Sequence, residues 1–178
     1  MKKSARFFAS LLCVGLVLPA SAQAATKATP TPTLTNPYGA APMDPPGPNE
    51  VLLTVKKGTK IVKFTMKQLM ALKPQTVTIN EPFVKKRQSF SSIPLSLLFA
   101  KVGIAGNDMV ATKALNDYIY SNTASKFVSA KGYLAVQREG KDIPFDQGGP
   151  IRIIFPSKSV WATFLDPWNW SLMSISVK

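Results

Sequence analysis

The distribution of proline residues indicates which part of this chain can form regular secondary structure. Seven prolines lie in a stretch rich in alanine and threonine: Pro30, Pro32, Pro37, Pro42, Pro45, Pro46 and Pro48. Each one fixes its own backbone angle and lacks the N–H that a helix or sheet requires. We therefore predict an extended, solvated linker over residues 25–48 and one folded domain over residues 49–178. A domain of that length can bury roughly two thirds of its unfolded surface.

The first 24 residues have the pattern of a secretory signal peptide. Basic residues precede an apolar stretch at residues 7–18, and Ala22-Gln23-Ala24 supplies a small-x-small cleavage site. The apolar stretch is shorter than the roughly 20 residues that a membrane-spanning helix needs. We therefore expect cleavage near Ala24, a periplasmic or secreted protein, and no transmembrane anchor.

Histidine is absent from the sequence, and the one cysteine, Cys13, lies in the predicted signal peptide. Ser-His-Asp triads, Cys-His pairs and histidine-ligated zinc are therefore excluded. The net charge of +13 becomes +10 once the three basic residues of the signal peptide are removed. This charge favours an anionic small molecule, an acidic envelope protein or an anionic envelope surface as partner, although it could also serve solubility alone. Nucleic acid is not expected as a partner of an exported protein.

Two short helices are indicated in the predicted domain. Thr65 can cap the first, which should bury Leu69, Met70 and Leu72. Proline opens the second, at residues 95–102, and Gly103 ends it.

Strand patterns are more frequent than helical ones. A hairpin is predicted from residues 51–55 and 61–65, and further strands from residues 76–80, 109–112, 117–120, 133–137 and 170–177. Residues 151–156 have the strongest strand pattern, which we place in the core of the sheet. The sequence thus predicts a single α+β domain that is mostly β, with short helices.

Six local motifs follow one another in a specific order, at residues 64–69, 92–98, 114–118, 132–135, 139–144 and 148–156. In this order they resemble the sulfite-oxidase-like, molybdopterin-binding domain family of oxidoreductases. The resemblance covers essentially all of residues 50–178. It implies a mixed, barrel-like sheet with short helices, and it makes molybdopterin a possible cofactor.

The chain departs from that family where the cofactor would be held. The resemblance implies a molybdenum-ligating cysteine in the loop after the third strand, and a histidine contact to the cofactor. Residues 80–87 contain no cysteine, and Lys158 and Trp161 stand in an altered form of a later Gly, Lys and Lys-Trp pattern. Because soft thiolate ligation secures the metal in this family, we expect a degenerate site without bound molybdenum. We assign no catalytic residue and no metal ligand.

Several residues remain candidates for binding a ligand. Lys85, Lys86 and Arg87 could hold a phosphate or carboxylate, although a run of charges is more typical of a solvated turn. Arg152 interrupts the strongest strand pattern, so it could reach a ligand cleft or an acidic partner.

A second group of candidates lies towards the end of the chain. Asn116, Asp117 and Tyr118 could orient a polar ligand, and ordinary turn and strand chemistry explains them equally well. Lys158 and Trp161 complete the candidate ligand-binding residues. Trp161 belongs to a cluster of aromatic residues in which we expect at least one tryptophan to be partly exposed beside a groove.

Two classes of function follow from these residues. The favoured hypothesis is an exported ligand- or partner-binding module that binds no molybdenum. The alternative is a molybdopterin-dependent oxidoreductase that holds its metal without a thiolate, through Glu81, Asp117 or Tyr118.

Overall fold

The computed structural model describes residues 44–178. The predicted signal peptide and residues 25–43 of the predicted linker lie outside these residues. Residues 44–48, at the end of the predicted linker, form neither helix nor strand. The domain boundaries themselves stay predictions.

The described residues contain short strands and three short helices. The strands are β1 (Leu53–Lys57), β2 (Lys60–Phe64), β3 (Gln75–Glu81), β4 (Lys86–Pro94), β5 (Met109–Ala114), β6 (Ile119–Thr123), β7 (Tyr133–Arg138), β8 (Arg152–Ile154) and β9 (Leu172–Val177). The helices are α1 (Met66–Met70), α2 (Leu95–Val102) and α3 (Ala124–Ser129), and a 3₁₀ turn spans Phe145–Gln147.

The strands form two sheets. One has five strands in the order β2-β1-β9-β5-β6 and is mixed, because β1 and β9 run parallel while the other neighbours are antiparallel. The other is antiparallel, in the order β3-β4-β7-β8. These sheets and the short helices confirm the predicted α+β class with mostly β structure.

The core is shared by both sheets and the helices. Leu53 of β1, Phe90 of β4, Leu98 of α2 and Leu134 of β7 are all fully buried in one apolar cluster. Each such side chain stabilises the folded state by about 1.5–3 kcal/mol relative to exposure in water. Tertiary packing, rather than helix propensity, therefore stabilises helices as short as these.

Capping signals in the sequence correctly indicate where α1 begins and where α2 begins and ends. Thr65 caps α1 through a capping box, in which its hydroxyl accepts from the Gln68 N–H and the Gln68 side chain accepts from the Thr65 N–H. Gly103 ends α2 in the left-handed conformation, with φ of 75°. Leu69 is buried as predicted, but Met70 is exposed, because a five-residue helix presents only one narrow face to the core.

Two elements were not predicted, the strand β4 and the helix α3, and two expectations about the strands were wrong. Asp117 lies in a turn rather than in a strand. The strand β8 has three residues and lies at the edge of its sheet, not in its centre. Pro150 and Pro156 lie on either side of that strand, and since proline cannot donate to a sheet they limit its length.

No helix among residues 44–178 is both long enough and apolar enough to cross a membrane.

Candidate functional site

The third strand ends at a buried carboxylate. Glu81 is the last residue of β3, and its Oε2 accepts hydrogen bonds from the N–H groups of Phe83 and Val84, both at 2.8 Å. Lys85 completes the turn with a positive φ of 53° before β4 begins. The Glu81 side chain therefore holds together the turn that joins β3 to β4.

Arg152 is the partner of this carboxylate. Its Nη2 donates to Glu81 Oε1 at 2.9 Å, and both side chains are fully buried. A buried charge of either sign destabilises the fold unless it is paired. Each of these two charges therefore makes the burial of the other possible. The acidic group that Arg152 contacts thus comes from the same chain.

The Trp170 ring lies over the ion pair, and the Phe83 ring packs against Trp170. The guanidinium carbon of Arg152 is 4.6 Å from the centre of the Trp170 ring, within the range of a cation–π contact. Phe83 packs edge-on against Trp170, with 4.0 Å between ring centres. Gly148 makes room for this arrangement, because a Cβ there would lie 3.1 Å from the Trp170 ring.

A cleft of about 250 Å³ lies on the outer side of these rings. Its walls consist of residues from the β3–β4 turn, from the β5–β6 turn and from the segment before β9: Phe83, Ala114, Asn116, Tyr118, Leu165, Asp166, Trp168 and Trp170. Trp170 is partly exposed here, as we expected of at least one tryptophan. Half of the lining residues are aromatic, and Asn116, Tyr118 and Asp166 contribute an amide, a phenol and a carboxylate.

The predicted residues Asn116, Asp117 and Tyr118, called here the triplet, do not all face the cleft. The Tyr118 N–H donates to Asn116 Oδ1 at 3.3 Å, and the Tyr118 hydroxyl donates to the Asp166 carbonyl at 3.0 Å. Burial raises the pKa of the Tyr118 phenol, and the charges of Asp166 and Tyr120 raise it further. The phenol is therefore a neutral hydrogen-bonding group at neutral pH.

Asp117 does not line the cleft with its neighbours. It has a φ of 65°, and its carboxylate pairs with Lys113 at 2.7 Å. The hydrogen bond from Lys113, together with its charge, lowers the pKa of the Asp117 carboxyl. Asn116 and Tyr118 are therefore the members of the triplet placed to contact a ligand.

The predicted basic residues lie at one end of the four-stranded sheet. Lys85, Lys86 and Arg87 are exposed on the β3–β4 turn and the start of β4. Lys158 is exposed next to Ser157, whose Oγ accepts from the Asn80 N–H at 2.8 Å. None of these four cations is among the residues that line the cleft.

Trp161 lies among core aromatic side chains instead. Its ring packs edge-on against Phe127 and Phe155, each at 5.3 Å between centres, and its carbonyl accepts from Trp168 Nε1 at 2.8 Å. Trp161 therefore supports the cleft wall through Trp168 and is not itself among the residues that line the cleft.

Sequence reasoning missed Phe83 and the role of Glu81. Trp168 and Trp170 belong to the aromatic cluster for which a groove was expected, but neither was named as a binding residue, and Glu81 was considered only as a possible metal ligand. The one signal in the sequence that could have indicated the role of Glu81 is its place as a carboxylate at the end of a strand pattern in a strongly basic chain. Its partner Arg152 lies 71 positions away, so the pairing itself had no local signal.

The family model of the oxidoreductase molybdopterin binding domain matches residues 40–164 of the chain. The match covers more than two thirds of the 178 residues, and the chain therefore belongs to this family. Glu81 and Arg152 lie inside the matched range, whereas Trp168 and Trp170 follow it. No curated protein matches the chain.

The described residues do not fit a thiolate-held molybdenum. Residues 44–178 contain neither cysteine nor histidine, and they contain no group of three side chains that could hold a metal ion. The oxygen ligands of the alternative hypothesis are also engaged elsewhere, because Glu81 binds Arg152 and Asp117 binds Lys113. We therefore derive no reaction step through such a cofactor.

Proposed function

We propose that this member of the molybdopterin-binding domain family is an exported ligand-binding module that works without molybdenum. Its ligand would occupy the aromatic cleft between Phe83, Tyr118 and Trp170. The N-terminal sequence supports export, since its charge and hydropathy pattern is typical of a secretory signal peptide.

One observation carries this proposal: the buried carboxylate of Glu81 ends the third strand and pairs with Arg152. Both oxygens of Glu81 accept hydrogen bonds from the protein, at 2.8 to 2.9 Å. The resemblance implies that a cysteine after this strand would supply the metal ligand in active members. Here the corresponding region is a turn closed by its own side chain, while the cleft beside it is open.

The cleft favours a small, flat organic ligand. At about 250 Å³ it lies just below the range of about 300–1,000 Å³ that is typical of small-molecule sites. Aromatic walls suit a ring, and the Asn116 amide can pair with a polar ring edge. Asp166 makes the cleft unfavourable for a buried anion, so an anionic substituent would point outward to Lys85, Lys86 and Arg87.

Metal and pterin analysis tests whether the protein works without molybdenum. The protein would be purified from its own cell envelope and examined by elemental mass spectrometry and by fluorescence of oxidised pterin. We expect molybdenum and pterin far below one per chain. Molybdenum and pterin near one per chain would overturn the proposal and support an oxidoreductase with oxygen ligation.

Binding of a small-molecule probe tests whether the aromatic cleft is the ligand site. Pterin-6-carboxylate combines a flat ring with an anionic group, and tryptophan fluorescence can report its binding through Trp170. We expect Tyr118→Ala to weaken binding about tenfold or more, because it removes one wall of the cleft. Ile119→Ala is the matched control, since Ile119 is the exposed neighbour and does not line the cleft.

The basic turn is tested with the same probe. Replacing Lys85, Lys86 and Arg87 together by Ala should weaken binding of the anionic probe and leave the circular dichroism spectrum unchanged. Uncharged pterin should bind the native chain and the triple variant equally. Unchanged affinity for the anionic probe would exclude this turn from the binding site.

A further inference from the structure

Three donors converge on one carboxylate in the interior of the protein. The N–H groups of Phe83 and Val84 and the Nη2 of Arg152 all lie within 2.9 Å of the Glu81 oxygens. We propose that these donors form an oxyanion-binding site, and that Glu81 is its internal occupant. This anion site, filled by Glu81, does not depend on which molecule binds in the cleft.

The donors have the chemistry of an anion receptor. Two consecutive backbone N–H groups that point at the same oxygen form a concave cluster of partial positive charge, which is a recurrent way of binding anions. Arg152 adds a full positive charge whose planar group suits carboxylates. Because the site is sealed from water, its hydrogen bonds are stronger than they would be at the surface.

Glu81 and its charged partner come from different strands. The Glu81 side chain enters the site from the end of β3, while Arg152 enters from β8 of the same sheet. Trp170 covers the guanidinium, and Phe83 packs against Trp170. Arg152 and Trp170 lie outside the β3–β4 turn that Glu81 closes, so they would remain beside a void if the carboxylate were removed, and a bound anion would restore the contacts that hold the turn.

The void would have the size of a specific small anion. Glu81→Ala removes the side chain beyond Cβ, which consists of one CH₂ and one carboxylate. Acetate has the same heavy atoms, with a methyl group in the place of the CH₂. The emptied site should therefore bind acetate, and more generally small carboxylates, in preference to chloride.

Thermal unfolding of Glu81→Ala in acetate and in chloride, at equal ionic strength, tests this proposal. We expect the variant to have a lower Tm than the native chain, and acetate to raise it saturably by about 3 °C or more relative to chloride. The native chain should show no acetate-specific rise, because its own carboxylate occupies the site. Equal responses of the variant to the two salts would overturn the proposal.

Two further variants separate anion binding from general stabilisation. Glu81→Ala combined with Arg152→Met should lose the acetate response, since the charged donor is gone. Asp108→Ala removes a carboxylate from the Lys57 pair near the surface and should show no acetate-specific rise. If Glu81→Ala does not fold in buffer, its refolding yield in acetate and in chloride replaces the Tm, and equal yields would overturn the proposal.

Discussion

At the scale of single residues, Glu81 and Arg152 distinguish this chain from a simple β-rich scaffold. Both are fully buried, and a carboxylate or guanidinium without its partner would be destabilising by several kcal/mol in such a place. In the function proposed above, the pair closes the region where a cofactor would be held, and the ligand occupies the aromatic cleft beside it.

A second pair, between Lys57 and Asp108, predicts a pH dependence of stability. The hydrogen bond from Lys57 lowers the pKa of the Asp108 carboxyl below its usual 3.8, and the N–H of Ala105 lowers it further. A carboxyl whose pKa is lower in the folded state stabilises that state above pH 3.8 and loses this effect as the pH falls through the lowered pKa.

The measurement is the Tm of Asp108→Asn against the native chain at several pH values. We expect the native chain to be the more stable at neutral pH, and the difference to shrink as the pH falls below 3.8. A difference that stays constant across this range would show that the charge of Asp108 does not contribute to stability.

At the scale of elements, the β3–β4 hairpin and the glycine turn before β8 build the site together. The hairpin supplies Glu81 and Phe83, and the turn at Gly148 leaves the space into which Trp170 packs. Gly149, the next residue, approaches the Ile143 carbonyl so closely that a Cβ would lie 1.8 Å from its oxygen. Gly148 is therefore required by packing and by its backbone conformation, and Gly149 is required by packing.

Gly148→Ala tests this packing. Gly148 has a φ of 84°, and a methyl group would also meet the Trp170 ring. Gly103→Ala is the matched control, because Gly103 has a similar φ of 75° but open space around it. Both variants carry the backbone cost of about 1–2 kcal/mol for a left-handed residue.

We expect Gly148→Ala to lower the free energy of unfolding by at least about 1 kcal/mol more than Gly103→Ala does. Tryptophan fluorescence should also change in Gly148→Ala alone, since only that methyl group displaces Trp170. Equal destabilisation with unchanged fluorescence in both variants would show that Trp170 tolerates the methyl group. Denaturant unfolding and emission spectra provide both measurements.

The element that sequence reasoning missed most clearly is β4. Its residues are largely polar, and only Phe90, Ser92 and Ile93 are buried, so the strand has no clear alternation of apolar and polar positions. It becomes a strand because β3 and β7 pair with it on both sides. Strand formation depends on such neighbours more than helix formation does, and a single sequence does not show them.

At the scale of the whole molecule, three lysines lie on the outer face of the five-stranded sheet. Lys56 of β1 and Lys63 of β2 point outward on the same face of the five-stranded sheet, and Lys113 of β5 lies on that face with Ser174 of β9 between the strands. The opposite face packs into the core. Clustered cations on a low-dielectric surface attract polyanions over a distance set by the salt concentration.

Retention on immobilised heparin tests whether this face dominates the charge interactions of the protein. We expect the double variant Lys56→Glu and Lys63→Glu to elute at a clearly lower salt concentration than the native chain. Lys101→Glu with Lys126→Glu makes the same change of net charge on the exposed sides of α2 and α3 and is the matched control. Equal elution of the two double variants would show that only net charge matters.

Elements that depend on neighbours in the chain could be predicted from the sequence alone. The β1–β2 hairpin, the Thr65 cap and the limits of α2 at Pro94 and Gly103 all follow from contacts within a few residues. The exclusion of histidine and thiolate chemistry from the predicted mature domain needed only the composition. The family resemblance depended on the order of such local motifs.

The site depends on contacts between distant parts of the chain. Glu81 meets Arg152 across 71 positions, and the Tyr118 hydroxyl meets the Asp166 carbonyl across 48. The burial that makes an ion pair strong, and the packing that brings Phe83 onto Trp170, exist only once both sheets have closed on one core. Amino-acid order specifies local geometry through short-range sterics and hydrogen bonds, whereas solvent exclusion and long-range pairing belong to the folded chain.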